Sequence, residues 1–254
     1  MTRSARAGVL TTIVLVLLGV PVYRWSGPFT QQFSANEQCC QVPFVRNVAL
    51  SARQLAGRAE FFSEVGQDLW LTETVFPGKS SGFFLDVGSG HGTIGSNTKL
   101  VEMKGWTGIC IDPFPKHMEG RTCTMLKEVV YSKAGDKVLF KAAGDLGGIA
   151  DTLNAWKEQA SEAQTVEFTT TTLGEILDRE KAPPMIDFMS LDIEGAELDA
   201  LKGFPFDRYK IGALAIEHNY EEPKRTDIQK LLKLQGIERV GSIKQDDLYI
   251  AAVK

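Results

Sequence analysis

SSGFFLDVGSGHGTIGSNTKLVE, Ser80 to Glu102, is the stretch whose reading decides the fold. Its apolar run, Gly82 to Val87, has the β-type residues of a buried strand and contains an aspartate at its turnward end. Three glycines then alternate with other residues, Gly88, Gly90 and Gly92. Glycines suit a sharp turn that takes backbone angles closed to other residues and keeps side chains out of the way of a ligand. The next residues, Ile94 to Met103, read as a helix packing back on the strand. In such open α/β units the ligand lies outside the carboxyl ends of the strands, where strand order reverses.

Two ligands compete for this turn. Gly90, Gly92 and Gly95 match G-x-G-x-x-G, and Asp112 follows about twenty residues on, as a dinucleotide site requires. The match starts two residues late, because Gly88 already opens the turn, and counting from Gly88 puts Thr93 where the third glycine belongs. Asp86 bears on the choice as well. A carboxylate at the end of the first strand suits the amino group and sulfonium of S-adenosylmethionine and would repel a pyrophosphate. On this reading Gly88, Ser89 and Gly90 cradle the methyl donor.

The chain has 254 residues, 43% of them hydrophobic, and a formal net charge of -4, which fits one domain of ordinary size plus an appendage. Without a basic excess, nucleic acid is not the expected partner. Three histidines and four cysteines show no zinc spacing. Arg3 and Arg6 precede an uncharged apolar run, Ala7 to Tyr23, close to the roughly 20 residues that span a bilayer. A cleaved signal peptide has the same layout, but no small-x-small site follows promptly, so residues 1–25 read as an uncleaved signal anchor. The arginine bias puts the N-terminus in the cytoplasm and the remainder in a lumen or periplasm. Residues 26–62 read as a polar stem and leading helix, with Cys39 and Cys40 able to form disulfides there. Cys110 reads as a small apolar strand residue and Cys123 as equally unremarkable.

Residues 63–254 form the domain. Val48 to Glu64 reads as an amphipathic helix, and Gln67 and Asp68 after it either line the cofactor's entrance or cap a helix. Trp106 to Ile111 is a second strand closed by Asp112-Pro113, where a carboxylate can accept both ribose hydroxyls of an adenosine. Arg121 to Tyr131 supplies a third strand and Lys137 to Ala143 an added one. Gly144 to Thr165 is a loose segment, a substrate lid or an insertion, with a polar helix around Trp156. Leu173 to Arg179 is a helix, and Met185 to Leu191 is a buried strand ending in Asp192-Ile193-Glu194-Gly195. Ile211 to Ile216 ends likewise in Glu217-His218-Asn219. After a helix from Pro223 to Leu234, the chain closes with a hairpin, Glu238 to Lys244 and Leu248 to Val253 around Gln245-Asp246-Asp247.

The motifs GQDLW, FFLDVGSGHGTIGSNT, GWTGICIDP, IDFMSLDIEGAE, AIEHN and DDLYI resemble the FkbM-type methyltransferases, of the membrane-anchored kind, from about Ser63 to Tyr249. The resemblance implies a Rossmann-like class I methyltransferase, a seven-stranded mostly parallel sheet with a C-terminal antiparallel hairpin, using S-adenosylmethionine to methylate an oxygen of a sugar or small molecule. Gln67, Asp68, Asp86, Gly88, Ser89, Gly90, Asp112 and Pro113 are then the cofactor residues. His218 suits a general base, or orients substrate instead. Asp192, Glu194 and Glu217, with Asn219, can bind a divalent cation that lowers the hydroxyl's pKa. The rivals are an NAD(P)-dependent oxidoreductase and a catalytically silent membrane-anchored partner-binding protein.

Overall fold

The structure is a computed structural model, and residues 61–252 are described. The anchor, most of the stem, Cys39 and Cys40 lie outside that range, and among the described residues no helix is long and apolar enough to cross a membrane.

Seven strands make the main sheet: β1 (Phe83–Val87), β2 (Thr107–Ile111), β3 (Thr124–Leu126), β8 (Met185–Leu191), β9 (Lys210–Glu217), β10 (Ile237–Ile243) and β11 (Asp246–Ala251). Their spatial order is β10-β11-β9-β8-β1-β2-β3. β1 pairs in parallel with β2, Leu85 opposite Ile109, and with β8, Leu85 opposite Met189. β11 is antiparallel to both β9 and β10. This mixed α/β sheet is compatible with a Rossmann-like methyltransferase.

Both faces of the sheet are covered at its centre, so the parallel strands β1, β2, β8 and β9 are largely apolar and buried. Leu85 and Val87 point into one core, with Ile109, Met189 and Leu214. That core is closed by the helices Leu173–Arg179, Glu197–Lys202 and Lys224–Leu234. Phe84 points to the other face, against Trp106, Phe188 and Ala213, which Trp70, Leu71 and Val101 cover. Thr172 starts the helix Leu173–Arg179 by accepting the N–H of Glu175, a cap of the Ser/Thr-x-x-Glu kind.

Several expectations are corrected. The helix after the glycine turn is only Lys99–Met103, preceded by turns. Residues 61–64 are not helical, and Ser63 bridges to Gly95. The single third strand is two pieces, because β3 joins the main sheet while β4 (Val129–Val130) joins a second sheet with β5 (Lys137–Lys141), β6 (Gly148–Ile149) and β7 (Thr165–Thr171), in the order β4-β7-β5-β6. Trp156 sits in turns rather than a helix, and Asp246 and Asp247 belong to β11 rather than to the hairpin's turn.

Cys110 and Cys123 form a disulfide, not the bland roles expected of them. Cys110 lies in β2, and Cys123 enters β3 beside it, so the bond ties two neighbouring strands across a short connection. Closing a loop of this length removes conformational freedom worth about 3 kcal/mol from the unfolded chain. Dithiothreitol is therefore expected to lower the urea midpoint of unfolding, and equal midpoints with and without it would show that the bond contributes nothing.

Candidate functional site

Strand order reverses between β1 and β8, and the segments leaving these two strands meet there. Asp192 N–H donates to the Val87 carbonyl, and a Cβ on Gly88 would lie 1.6 Å from the Asp192 carbonyl oxygen. Only glycine, with φ +83, lets the two loops approach this closely. Gly92 is equally confined, since a Cβ there would lie 2.1 Å from the carbonyl oxygen of His117.

A cavity of about 1370 Å³ opens over this junction. The expected residues Gly88, Ser89, Gly90, Asp112, Pro113, Asp192, Glu194, Glu217 and Asn219 all line it. Asp112 accepts N–H groups from Gly90 at 3.0 Å and from Phe114 at 2.7 Å, which fixes the carboxylate beside the turn. Burial raises its pKa despite those bonds.

Four expected site residues stand behind the wall instead. The alternation of β1 sends Asp86 to the Phe84 face, and it does not line the cavity. Its carboxylate accepts from the Thr98 hydroxyl and lies 3.9 Å from the buried Arg121 guanidinium. The cation-greeting role expected of Asp86 therefore has no access to a ligand. Burial raises its pKa against the pull of Arg121. Asp68 is fully buried and accepts from Ser63 Oγ and the Phe62 N–H, so it shapes the wall segment at residues 61–64 from behind. Gln67 donates to Asp246 at 2.8 Å. His218 follows the last residue of β9 and, unlike Glu217, does not line the cavity. Its Nδ1 accepts the Tyr220 N–H at 2.9 Å, and its Nε2 lies 3.6 Å from Asp247. With its side chain wholly buried and outside the cavity lining, His218 is not placed to take a proton from a substrate; it braces the loop that carries Asn219.

Asp192, Glu194 and Glu217 converge so that one oxygen of each lies within 4.8 Å of the others. Asn219 donates its amide N–H to Glu217 at 2.8 Å and to Glu194 at 3.1 Å, so its nitrogen, not its oxygen, faces the cluster. Burial pushes Asp192 up to about 6, with Glu197, Asp86 and Glu64 adding repulsion and a hydrogen bond with Glu217 opposing it; burial and then repulsion from Asp192 push Glu194 to about 8 and Glu217 to about 12. Asp246, buried beneath them, rises to about 8. Three carboxyls this close hold protons between them or take a hard cation through oxygen. The donor set fits such an ion.

These shifts fix the pH dependence of stability. An acid whose pKa is raised by folding stabilises fully below its unfolded value near 4 and loses that contribution as pH climbs through the folded value. Asp192, Glu194, Glu217 and Asp246 all act in this sense between pH 5 and 8. Burial lowers the pKa of His218, whose single opposing contribution fades below about 6.5. The ligand-free protein is accordingly expected to melt at a lower temperature at pH 8 than at pH 5.5. A melting temperature that rises across this window would contradict the protonated cluster.

Seven carboxylate residues line the cavity: Glu64, Asp112, Glu128, Asp145, Asp192, Glu194 and Glu217. Among the described residues lining it there is no lysine or arginine. Lys116 and Arg179 pair with Asp145 and Glu128, and no ion pair to the other five is found among the described residues. The turn itself has little left for an anion. The N–H groups of Gly88 and Ser89 go to the Ile111 carbonyl, that of Gly90 to Asp112, that of Gly92 to Lys116, and those of Thr93 and Ile94 to His91 Nδ1. Glu64, Glu128 and Asp145 carry no spacing signal in the sequence; only the folded chain gathers them.

The model of the methyltransferase FkbM domain matches residues 86–240, from the end of β1 into β10. The chain belongs to the FkbM methyltransferase family. Neither the curated proteins nor the solved structures compared with it gave a match. In this FkbM domain the matched span holds the glycine turn, the second acidic strand end and the carboxylate trio together.

Proposed function

We propose that this FkbM methyltransferase uses S-adenosylmethionine to methylate a hydroxyl of a neutral sugar or small molecule. The observation that carries the reading is the cavity wall at the switch point of the sheet, where seven acidic residues meet no lysine or arginine among the described lining residues. A pyrophosphate would be repelled there, and the turn, with most of its N–H groups already bonded, has no adjoining helix N-terminus to receive it. A sulfonium and an amino group are attracted by the same wall. Asp112 suits the ribose hydroxyls, and Gly88 to Gly90 allow close approach.

Methyl transfer is an in-line displacement, so holding the hydroxyl against the methyl carbon supplies much of the acceleration. Asp192 is the residue for the proton: it follows β8, adjoins Gly88 and is partly open to the cavity. A divalent cation held by Asp192, Glu194 and Glu217 would serve the same step by acidifying the hydroxyl. Manganese titrated into EDTA-treated protein tests that part by calorimetry, and no heat of binding would remove it.

The disulfide and the apolar N-terminal run support a domain on the lumenal or periplasmic side of a membrane. The acidic wall argues against nucleic acid as partner. Calorimetry decides the donor: S-adenosylhomocysteine is expected to bind and NADH not. Binding of NADH alone would make the protein an oxidoreductase site, and binding of neither would leave a silent partner-binding protein.

A further inference from the structure

Outside the donor's end, the cavity has a rim of its own. Tyr220 lines it with 65% of its surface exposed, and Trp156 lines it near Glu194. Tyr220 is not a loose surface ring. It takes φ +59, after Asn219 at +44, and this left-handed angle is costly for a bulky aromatic residue and persists only where the surroundings impose it. Here the imposing group is buried: His218 accepts the Tyr220 N–H and sets its ring edge-on to the tyrosine at 5.0 Å. Behind it, Asp247 is fixed by Arg225 at 2.7 Å and by Ser242 at 2.6 Å. The Trp156 turn is tied to the same loop, since Ala155 N–H donates to Glu221 at 2.8 Å. The Trp156 indole nitrogen is buried with no hydrogen bond of good geometry, and its N–H lies close enough to Glu194 to favour that carboxylate's charged form.

Two aromatic side chains thus flank a group of carboxylate acceptors and one amide, Glu194, Glu217 and Asn219. That combination matches a ring with C–H faces to cover and several hydroxyls to bind, and it offers nothing to a phosphate. The volume, larger than the roughly 300–1,000 Å³ of an ordinary ligand cavity, leaves room for such a ring beside the donor. We propose that Tyr220 and Trp156 form an acceptor platform that takes a glycoside without phosphate, and that nucleotide-linked and phosphorylated sugars are refused. The proposal rests on the methyl-transfer reading and names the acceptor for it.

The test uses the full chain saturated with S-adenosylhomocysteine. Calorimetry would compare methyl hexopyranosides and neutral disaccharides with hexose 6-phosphates and a nucleoside diphosphate hexose. At least one neutral glycoside is expected to bind, with no binding of the phosphate-bearing forms. Tyr220→Ala is expected to weaken that glycoside about tenfold or more, Tyr220→Phe to keep it, and neither to change the affinity for S-adenosylhomocysteine. The platform is overturned if no neutral glycoside binds the loaded protein, if a phosphorylated sugar binds as tightly, or if Tyr220→Ala binds glycoside normally. Failure of S-adenosylhomocysteine to bind at the outset would instead strike the donor reading, so the two failures are told apart.

Discussion

Arg121→Met is expected to destabilise the domain by about 3–5 kcal/mol, the cost of stripping a buried charge group of its partner. The guanidinium, only 2% exposed, donates to Glu102 at 2.8 Å and to Thr98 at 2.7 Å, reaches the Gly92 carbonyl at 3.2 Å, and stands 3.9 Å from Asp86. Methionine fills much of the space and removes every one of these bonds. Asp86 would then remain a buried carboxylate with its guanidinium gone, while Glu102 would keep only Lys99, at 3.2 Å. The loss of the Gly92 contact would also loosen the glycine turn. Urea denaturation followed by circular dichroism measures the effect, and a loss below about 1 kcal/mol would mean that the cluster is not an integrated buried network. Adding Asp86→Asn to Arg121→Met should recover part of the stability, because one of the stranded charges is then gone.

The largest expected effect on activity is at Asp192. Asp192→Asn keeps the shape of the side chain and removes its basicity, so turnover is expected to fall about 10²–10⁴-fold, the range of a missing general base. Affinity for S-adenosylhomocysteine should change little, because the glycine turn and Asp112 are untouched. Labelled methyl transfer to a neutral glycoside gives the first number, and calorimetry the second. Equal losses in both would make Asp192 a donor-binding residue. His218→Asn offers the contrast: it removes no group from the cavity, and its effect should appear mainly as a raised KM through the loosened Asn219-Tyr220 turn.

Much of this architecture can be read from local pattern. The helix Leu173–Arg179 and strand β8 fall at the residues their periodicity and capping mark. The turn at Gly88 and the acids after β8 and β9 signal the site because glycines and carboxylates at strand ends have few other reasons to be there. The direction in which Asp86 points is another matter. A strand apolar on both faces carries no alternation to say which side faces the ligand, and the answer depends on Arg121, 35 positions away. The disulfide was hidden for a similar reason, as a spacing of 13 does not reveal that two strands will lie side by side. The second sheet escaped notice because β4 and β6 are two residues each, too short for any period. Asp246 and Asp247 look like turn residues, yet partners distant in sequence, Gln67 and Arg225, hold them within β11.

The acidic excess of the cavity wall bears on what happens after reaction. Under the proposed chemistry the incoming donor has a net positive charge, while its demethylated form is neutral overall. The walls therefore grip what arrives more firmly than what remains, and the spent molecule departs down an electrostatic slope that the reaction itself creates. Rising ionic strength should flatten that slope, bringing the affinities for donor and spent donor closer together.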